Sequence, residues 1–442
     1  MDSSSPASAN ASPVEIAVDE AQERYAAANP RSSLHFRRAR ASLPGGNTRT
    51  ALHFDPFPLA VARSEGAFIT DLDGHSYLDV LGEYSAGLYG HSPAVVIEAA
   101  RLAAASGIAN GAPGFGEIDL AEQLCARFPG IERLRFCNSG TEANLYSLML
   151  ARAATGRTRL VGFSGAYHGA VLSLGRGNVA MNVPFEWTVL RYNDSAGCEE
   201  ALAAAGSEVA AVIVEPMMSN GGCLPATAQF LSTLRSFCDQ YGAILIFDEV
   251  VTSRMGRGGM QQRLGVIPDL TTLGKYIGGG YPLAAFGGRS GLIDLLDPTG
   301  AGHFAHSGTF NNHVVSTQAG AAALRTLFPP ERADAFYDIG EALRARLNAL
   351  TLATGRAVQF TGCGSVMNIH FVAGPLAAPE DLEVEPKHMK RLFHLDLLAD
   401  GVYCARRGQI NLSLPMEAAD IRQIEASVAA FLHRRHMLLP AL

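Results

Sequence analysis

Three short apolar runs constrain this chain more than any other feature: RLVGF (159–163), AAVIVEP (210–216) and AILIFDEV (243–250). Each is apolar without alternation and is bounded by polar or turn residues. That is the pattern of a parallel strand buried on both faces. LRFCN (134–138) adds a further short strand, while EIDLAEQLCARF (117–128) and TEANLYSLMLARAAT (141–155) read as helices. Strands alternating with helices predict an α/β domain in which helices cover a mainly parallel sheet.

The chain has 442 residues, more than the ~250–300 at which a single core stops growing, so a second domain is expected. Beyond HVVSTQAGAAALRTLF (313–328) a Pro-Pro pair opens a different pattern. A helix over 331–352, strands near 357–371, a helix over 387–400, a strand near 410–413 and a helix over 417–434 make a smaller α+β unit. Toward the N-terminus, 15–42 is helical, 43–58 is a loop, and Asp73-Gly74 turns a hairpin within FITDLDGHSYLDVL. The expected divisions are a disordered Ser/Ala leader (1–15), an N-terminal segment (16–89), a large domain (90–328) and a C-terminal small domain (329–442).

A formal charge of −7 argues against a nucleic-acid binder, which would carry a basic face. No apolar stretch approaches the ~18–20 residues that span a bilayer. The seven cysteines are scattered, with no CxxC pair, so neither a disulfide framework nor a zinc site is expected. A reducing, cytoplasmic setting fits this usage, and the first residues lack the features of a secretory or transit signal.

Only three lysines, Lys275, Lys387 and Lys390, stand among the 35 basic residues. Lys275 lies in LTTLGKYIGGG (270–280), among glycines and small apolar residues. An amine there can lose its proton and attack a carbonyl, which a guanidinium cannot do. A surface lysine in a turn has the same local sequence. Three other stretches line up with it. Asp248 in FDEV (247–250) ends the most apolar strand, and ligands of open α/β sheets sit beyond strand carboxyl ends. It could hold a positive ring nitrogen or cap the next turn. In FCNSGTEANLYSL (136–148), Ser139, Gly140 and Thr141 stand between strand and helix, where free N–H groups can bind a phosphate. Ser139-x-x-Glu142 is equally an ordinary capping box. In FSGAYHGA (163–170), Tyr167 could stack on a flat ring and His168 could line the same cleft, or both could sit in a turn. Together an amine, a ring-nitrogen acid, a phosphate cradle and a stacking aromatic are the set that pyridoxal 5′-phosphate (PLP) requires.

In order and spacing, NSGTEAN, GAYHG, VEPM, FDEVVTSR, TLGKYIGGGYPLAAFGG and HSGTFNNH resemble the class III PLP-dependent aminotransferases, a family that includes glutamate-1-semialdehyde aminomutase. The resemblance implies PLP-dependent transferase fold type I. That fold has a large domain on a mainly parallel, seven-stranded-type sheet and a smaller α+β domain built from N- and C-terminal segments. It implies that Lys275 forms the Schiff base with the cofactor and that Asp248 keeps the pyridine nitrogen protonated. Ser139, Gly140 and Thr141 would hold the phosphate. Tyr167 would stack on one ring face with Val250 against the other, and Glu215 would lie near the phenolic side. Thr309 matches the threonine that reaches the phosphate of a neighbouring subunit's cofactor, so the sites would be shared across a homodimer. Thr309 is also placed to cap a helix over 312–327. The proton transfers require a neutral Lys275, and desolvation with nearby positive charge would bring its pKa into the useful ~7–8 range.

Two arginines bear on the substrate. Arg49 lies in PGGNTRTALHF, a loop that resembles the substrate-covering segment of the aminomutase and comes closer still to aminotransferases of aromatic β-amino acids such as β-phenylalanine. In that group an arginine in the stretch matching YCARRGQINLSLP (403–415) binds the α-carboxylate of glutamate or 2-oxoglutarate. Arg407 matches it, with Arg406 an extra basic neighbour that leaves the choice between the two open. A guanidinium grips a carboxylate through two parallel hydrogen bonds. Tyr84, in EYSAG, would line the side-chain pocket. The resemblance implies a transaminase moving an amino group from a β-amino acid to 2-oxoglutarate or pyruvate. A 2,1-aminomutase and a PLP-binding protein without turnover are the alternatives.

Overall fold

A computed structural model of the chain describes residues 11–175 and 179–442. Its main sheet has seven strands: β1 (Arg133–Cys137), β2 (Arg159–Phe163), β3 (Trp187–Leu190), β4 (Val209–Val214), β5 (Ile244–Asp248), β6 (Leu270–Leu273) and β7 (Ala284–Gly288). Their spatial order is β1-β7-β6-β5-β4-β2-β3. β7 pairs antiparallel with both neighbours, and the remaining pairs are parallel. The three apolar runs of the sequence form β2, β4 and β5.

Both faces of these strands are dry. Val212, Val214, Leu245 and Phe247 pack with Leu202, Phe230, Leu231 and Leu234, from the helices Ser195–Ala205 and Ala228–Tyr241. The alternate residues Ala211, Ile213, Ile244 and Ile246 pack with Leu148, Leu150 and Ala151 of the helix Gly140–Thr155. Each buried Val, Leu, Ile or Phe side chain contributes roughly 1.5–3 kcal/mol of transfer free energy. β6 and β7 carry no comparable run. β6 reads LTTL, with Thr271 and Thr272 fully buried, and β7 reads AAFGG.

The small domain joins the chain's two ends. Val61–Glu65, Phe68–Asp71 and Ser76–Asp79 form an antiparallel meander, and Val402–Tyr403 adds to its edge in parallel with Ser76–Asp79. A second antiparallel sheet, Gln359–Cys363, Val366–His370 and Gln409–Asn411, accompanies the helices Pro330–Ala353, Met389–Ala399 and Ala418–Arg434.

The leader expected through residue 15 gives way sooner. A helix spans Pro13–Ala28 and opens with a reciprocal cap in which Glu15 N–H donates to the Ser12 hydroxyl at 3.3 Å and Ser12 N–H to the Glu15 carboxylate at 2.8 Å. Val18, Ala21 and Tyr25 bury its inner face, which is why it is ordered. Residues 1–10 of that expected leader lie outside the described residues.

Candidate active site

The carboxyl ends of the parallel strands converge on one cleft. Ser139–Thr141 follow β1, Tyr167 and His168 follow β2, Glu215 follows β4, Asp248 ends β5, and Lys275 stands two residues past β6. Five sequence-distant stretches are thus brought together by topology alone. Lys275 is half-buried and opens the short 3₁₀ turn Lys275–Gly278 at φ +57. A non-glycine residue in this left-handed region costs of order 1–3 kcal/mol, strain the surrounding packing must hold. Burial brings the Lys275 ammonium down to about 8; the charges of Arg407 and Arg49 push the same way, and Asp248 and Glu215 oppose them.

Asp248 is buried and its carboxylate is fixed from several sides. One oxygen accepts from Asn144 Nδ2 and meets His168 Nδ1, both at 2.8 Å, and the other accepts the Val250 N–H at 3.1 Å. The Thr272 hydroxyl donates to Asn144 Oδ1 at 2.7 Å, which turns the amide's donors toward Asp248. His168 does not line the cleft as expected. It is 1% exposed and braces Asp248 from behind, with Nε2 unpartnered among the described residues. Glu215 accepts the Tyr167 and Ser219 N–H groups at 3.0 and 3.1 Å. Burial raises its carboxyl to about 7; the His168 interaction lowers it and the Asp248 charge adds to the rise.

At the start of the helix Gly140–Thr155 the capping box is half made. Ser139 Oγ accepts the Glu142 N–H at 3.2 Å, but the Glu142 carboxylate turns to Asn138, accepting its N–H at 2.9 Å. The Gly140 and Thr141 N–H groups have no partner among the described residues. Glycine lets the chain pack closely here: a Cβ on Gly140 would meet both Val250 methyls at 3.0 Å, and one on Gly169 would meet Thr141 Oγ1 at 2.3 Å. Tyr167 stays 45% exposed beside this cradle. Free amides at a helix start, an open aromatic face, a fixed carboxylate and an amine fit a flat, phosphorylated, cationic ring.

On the other side of the cleft two guanidinium groups lie over the Tyr84 ring, with Arg49 Cζ at 5.5 Å and Arg407 Cζ at 4.8 Å from its centroid. Tyr84 is buried and donates to the Ala51 carbonyl at 2.7 Å. Arg407 bonds neutral oxygens alone among the described residues, namely the side-chain carbonyls of Asn220 and Gln409. Gln409 Nε2 donates in turn to Asn411 Oδ1 at 2.9 Å, and Asn411 Nδ2 to the Leu81 carbonyl at 2.7 Å. Arg406 is exposed and makes no hydrogen bond or ion pair among the described residues. Thr309 is an exposed turn residue and does not cap the next helix. That helix is Val314–Leu327 and its cap is His313, whose Nδ1 accepts the Ser316 N–H at 3.3 Å.

The model of the family described as Aminotransferase class-III matches residues 50–423. The chain belongs to the class-III aminotransferases. It is 46% identical over 427 residues to the β-phenylalanine transaminase of Variovorax paradoxus, covering 97% of this chain and 98% of that one. A crystal structure of a β-phenylalanine aminotransferase from the same organism superposes with a TM-score of 0.95, covering 97% of this chain and 99% of that one. A glutamate-1-semialdehyde 2,1-aminomutase of Sorangium cellulosum is 38% identical over 394 residues, covering 85% of this chain and 89% of that one. The class-III aminotransferase fold is PLP fold type I, and its members bind PLP. The chain is therefore a PLP-dependent aminotransferase. Among the described residues no helix is long and apolar enough to cross a membrane.

Sequence reading missed the residues that orient this aminotransferase site. Asn144, Thr272, Ser219, Asn220 and Gln409 are ordinary polar residues in sequence, and only the fold shows what they hold. Asn144 lies inside NSGTEAN, one helical turn past the cradle, Thr272 opens TLGKYIGGGYPLAAFGG and Gln409 stands in YCARRGQINLSLP, so those motifs carried the available signal.

Proposed function

We propose that this aminotransferase moves the amino group of a β-amino acid, aromatic and β-phenylalanine-like, to a keto acid such as 2-oxoglutarate or pyruvate. The observation that carries this reading is the pair of guanidinium groups over Tyr84, one of which, among the described residues, bonds only neutral oxygens. An enzyme of a single monocarboxylic substrate needs one such group. An enzyme that admits two different carboxylates in turn has use for both. The name of the V. paradoxus relative points the same way.

Each residue then has a task. Ser139, Gly140 and Thr141 hold the cofactor phosphate, Tyr167 and Val250 enclose the ring, Glu215 borders its phenolic side, and Asp248 faces the ring nitrogen. Bound PLP supplies an electron sink that makes the proton on the donor's amine-bearing carbon removable. Lys275 would hold the cofactor through its amine, and the same Nζ, when neutral, would take the proton from the donor's amine-bearing carbon and carry it across the imine nitrogen. An amine lowered to about 8 exchanges protons readily near neutrality. Arg49 receives the β-amino acid carboxylate, Arg407 the keto acid carboxylate, and Tyr84 floors the pocket between them. Thr309 serves the phosphate of a second copy, so the working unit is a homodimer. Exposed Phe310 and Phe115, on segments linked through Asn312 and the Asn110 and Ala112 carbonyls, offer that face apolar surface.

The test is a division of labour. Arg49→Ala lowers kcat/KM for β-phenylalanine by ~10- to 100-fold, as loss of a charge-assisted pair implies, and touches 2-oxoglutarate less; Arg407→Ala does the reverse. Equal losses for both substrates in both variants would refute the assignment. Release of a keto product distinguishes transamination from an amine shift within one molecule.

A further inference from the structure

Arg49 is not free in the way Arg407 is. Its guanidinium is ion-paired with Glu83, the residue before Tyr84. The two cations on the Tyr84 ring therefore differ: one is neutralised by a carboxylate of the chain itself, and the other is held by amide oxygens.

Glu83 is held in this position by unusual backbone. Gly82, Glu83, Tyr84 and Ser85 have φ of +51, +49, +52 and +78, so three consecutive side-chain-bearing residues are left-handed. Each costs roughly 1–2 kcal/mol in that region and occurs there routinely only as a single residue. The turn is pinned on every side. Asp79 Oδ1 accepts the Leu81 and Gly82 N–H groups at 3.0 and 2.9 Å, and buried Arg254 donates to the Ser85 carbonyl at 2.9 Å. Asn411 holds the Leu81 carbonyl and the Tyr84 hydroxyl bonds Ala51. The result presents Tyr84 as the pocket floor and Glu83 to Arg49.

We infer that Glu83 is a specificity-determining residue, an internal carboxylate that occupies Arg49 until a substrate carboxylate displaces it. This rests on the reading of Arg49 as the β-amino acid carboxylate site. The pair is half-exposed, at 43% and 53% of the side chains. Exposed pairs are weak, so the competition tunes affinity and does not block it. While a keto acid occupies Arg407, Glu83 keeps the Arg49 charge satisfied. When a β-amino acid arrives, its carboxylate takes the guanidinium and Glu83 returns to water. A donor without a carboxylate has no means of displacing it.

Steady-state kinetics of the Glu83→Gln holoenzyme test this, because kcat/KM for each substrate of a two-half-reaction enzyme reports its own half. The expected result is a rise of about two- to five-fold in kcat/KM for β-phenylalanine, carried by KM, with the value for 2-oxoglutarate unchanged. The gain shrinks as salt is raised to ~0.5 M, because the lost pair is screened. In an Arg49→Ala background, Glu83→Gln produces no gain. An unchanged or lowered kcat/KM for β-phenylalanine, or equal changes for both substrates, overturns the role of Glu83. If Arg49→Ala alone still discriminates between the substrates in that case, the reading of Arg49 stands. If Glu83→Gln yields little folded protein, Glu83→Asp, one methylene shorter, is expected to show the same direction at smaller size, and an opposite sign overturns the role.

Discussion

The lowered pKa of Lys275 makes a prediction whose shape, not only its size, is informative. An amine at about 8 is roughly 1% neutral at pH 6, ~9% at pH 7, ~50% at pH 8 and ~90% at pH 9, whereas a lysine at its usual ~10.4 stays under 5% neutral throughout. Only the neutral amine attacks an aldehyde. The rate at which cofactor-free protein captures PLP, followed by the visible absorbance of the bound form, should therefore rise about ten-fold from pH 6 to 7. It should rise only about two-fold from pH 8 to 9. Arg407→Ala removes a cation that depresses this amine, so the plateau should move to higher pH. A rate still climbing ten-fold per unit between pH 8 and 9 would mean that Lys275 is solvated like a surface lysine, and the account of the site's electrostatics would fail. The sign for stability follows from the same shift. The cation is disfavoured in the folded state, so the cofactor-free protein gains stability as pH rises from about 8 toward the unfolded value near 10.5.

Two further substitutions probe the site's construction. Asp248→Asn keeps the shape of the side chain but removes the charge proposed to face the ring nitrogen, and kcat should fall by ~10²–10³ with the fold intact by circular dichroism. Gly169→Ala forces a Cβ to within 2.3 Å of Thr141 Oγ1 at a φ of +128. It should displace the phosphate cradle and weaken PLP binding by ten-fold or more, measured by equilibrium titration, with a smaller effect on the rate of the fully loaded enzyme.

The fold was legible where burial leaves a strong mark. β2, β4 and β5 are buried on both faces and so are apolar throughout. β6 and β7 sit between other strands yet read LTTL and AAFGG, because Thr271 and Thr272 serve hydrogen bonds beneath the site and Gly287 and Gly288 are pressed against neighbouring backbone. Their existence follows from tertiary packing that no local pattern announces. The residues proposed to carry chemistry stood out in sequence because Lys275, Asp248 and the NSGTEAN turn lie at strand ends, and the structure gathers them at one cleft. Those that orient others stood out less: Asn144, Asn220 and Gln409 act through side-chain amide hydrogen bonds to groups 104, 187 and 2 residues away in sequence. His168 shows the limit most clearly. The sequence puts it next to Tyr167, and the fold sends the two side chains apart, one to the cleft and one behind Asp248.

The most direct test of the central claim is chemical. Borohydride reduction of the PLP-loaded protein, followed by proteolysis and peptide mass mapping, should place one phosphopyridoxyl group on Lys275 and none on Lys387 or Lys390. A group recovered on either of those lysines, or on no lysine at all, would contradict the claim that the amine beyond β6, with Asp248 at the end of β5, forms the catalytic centre.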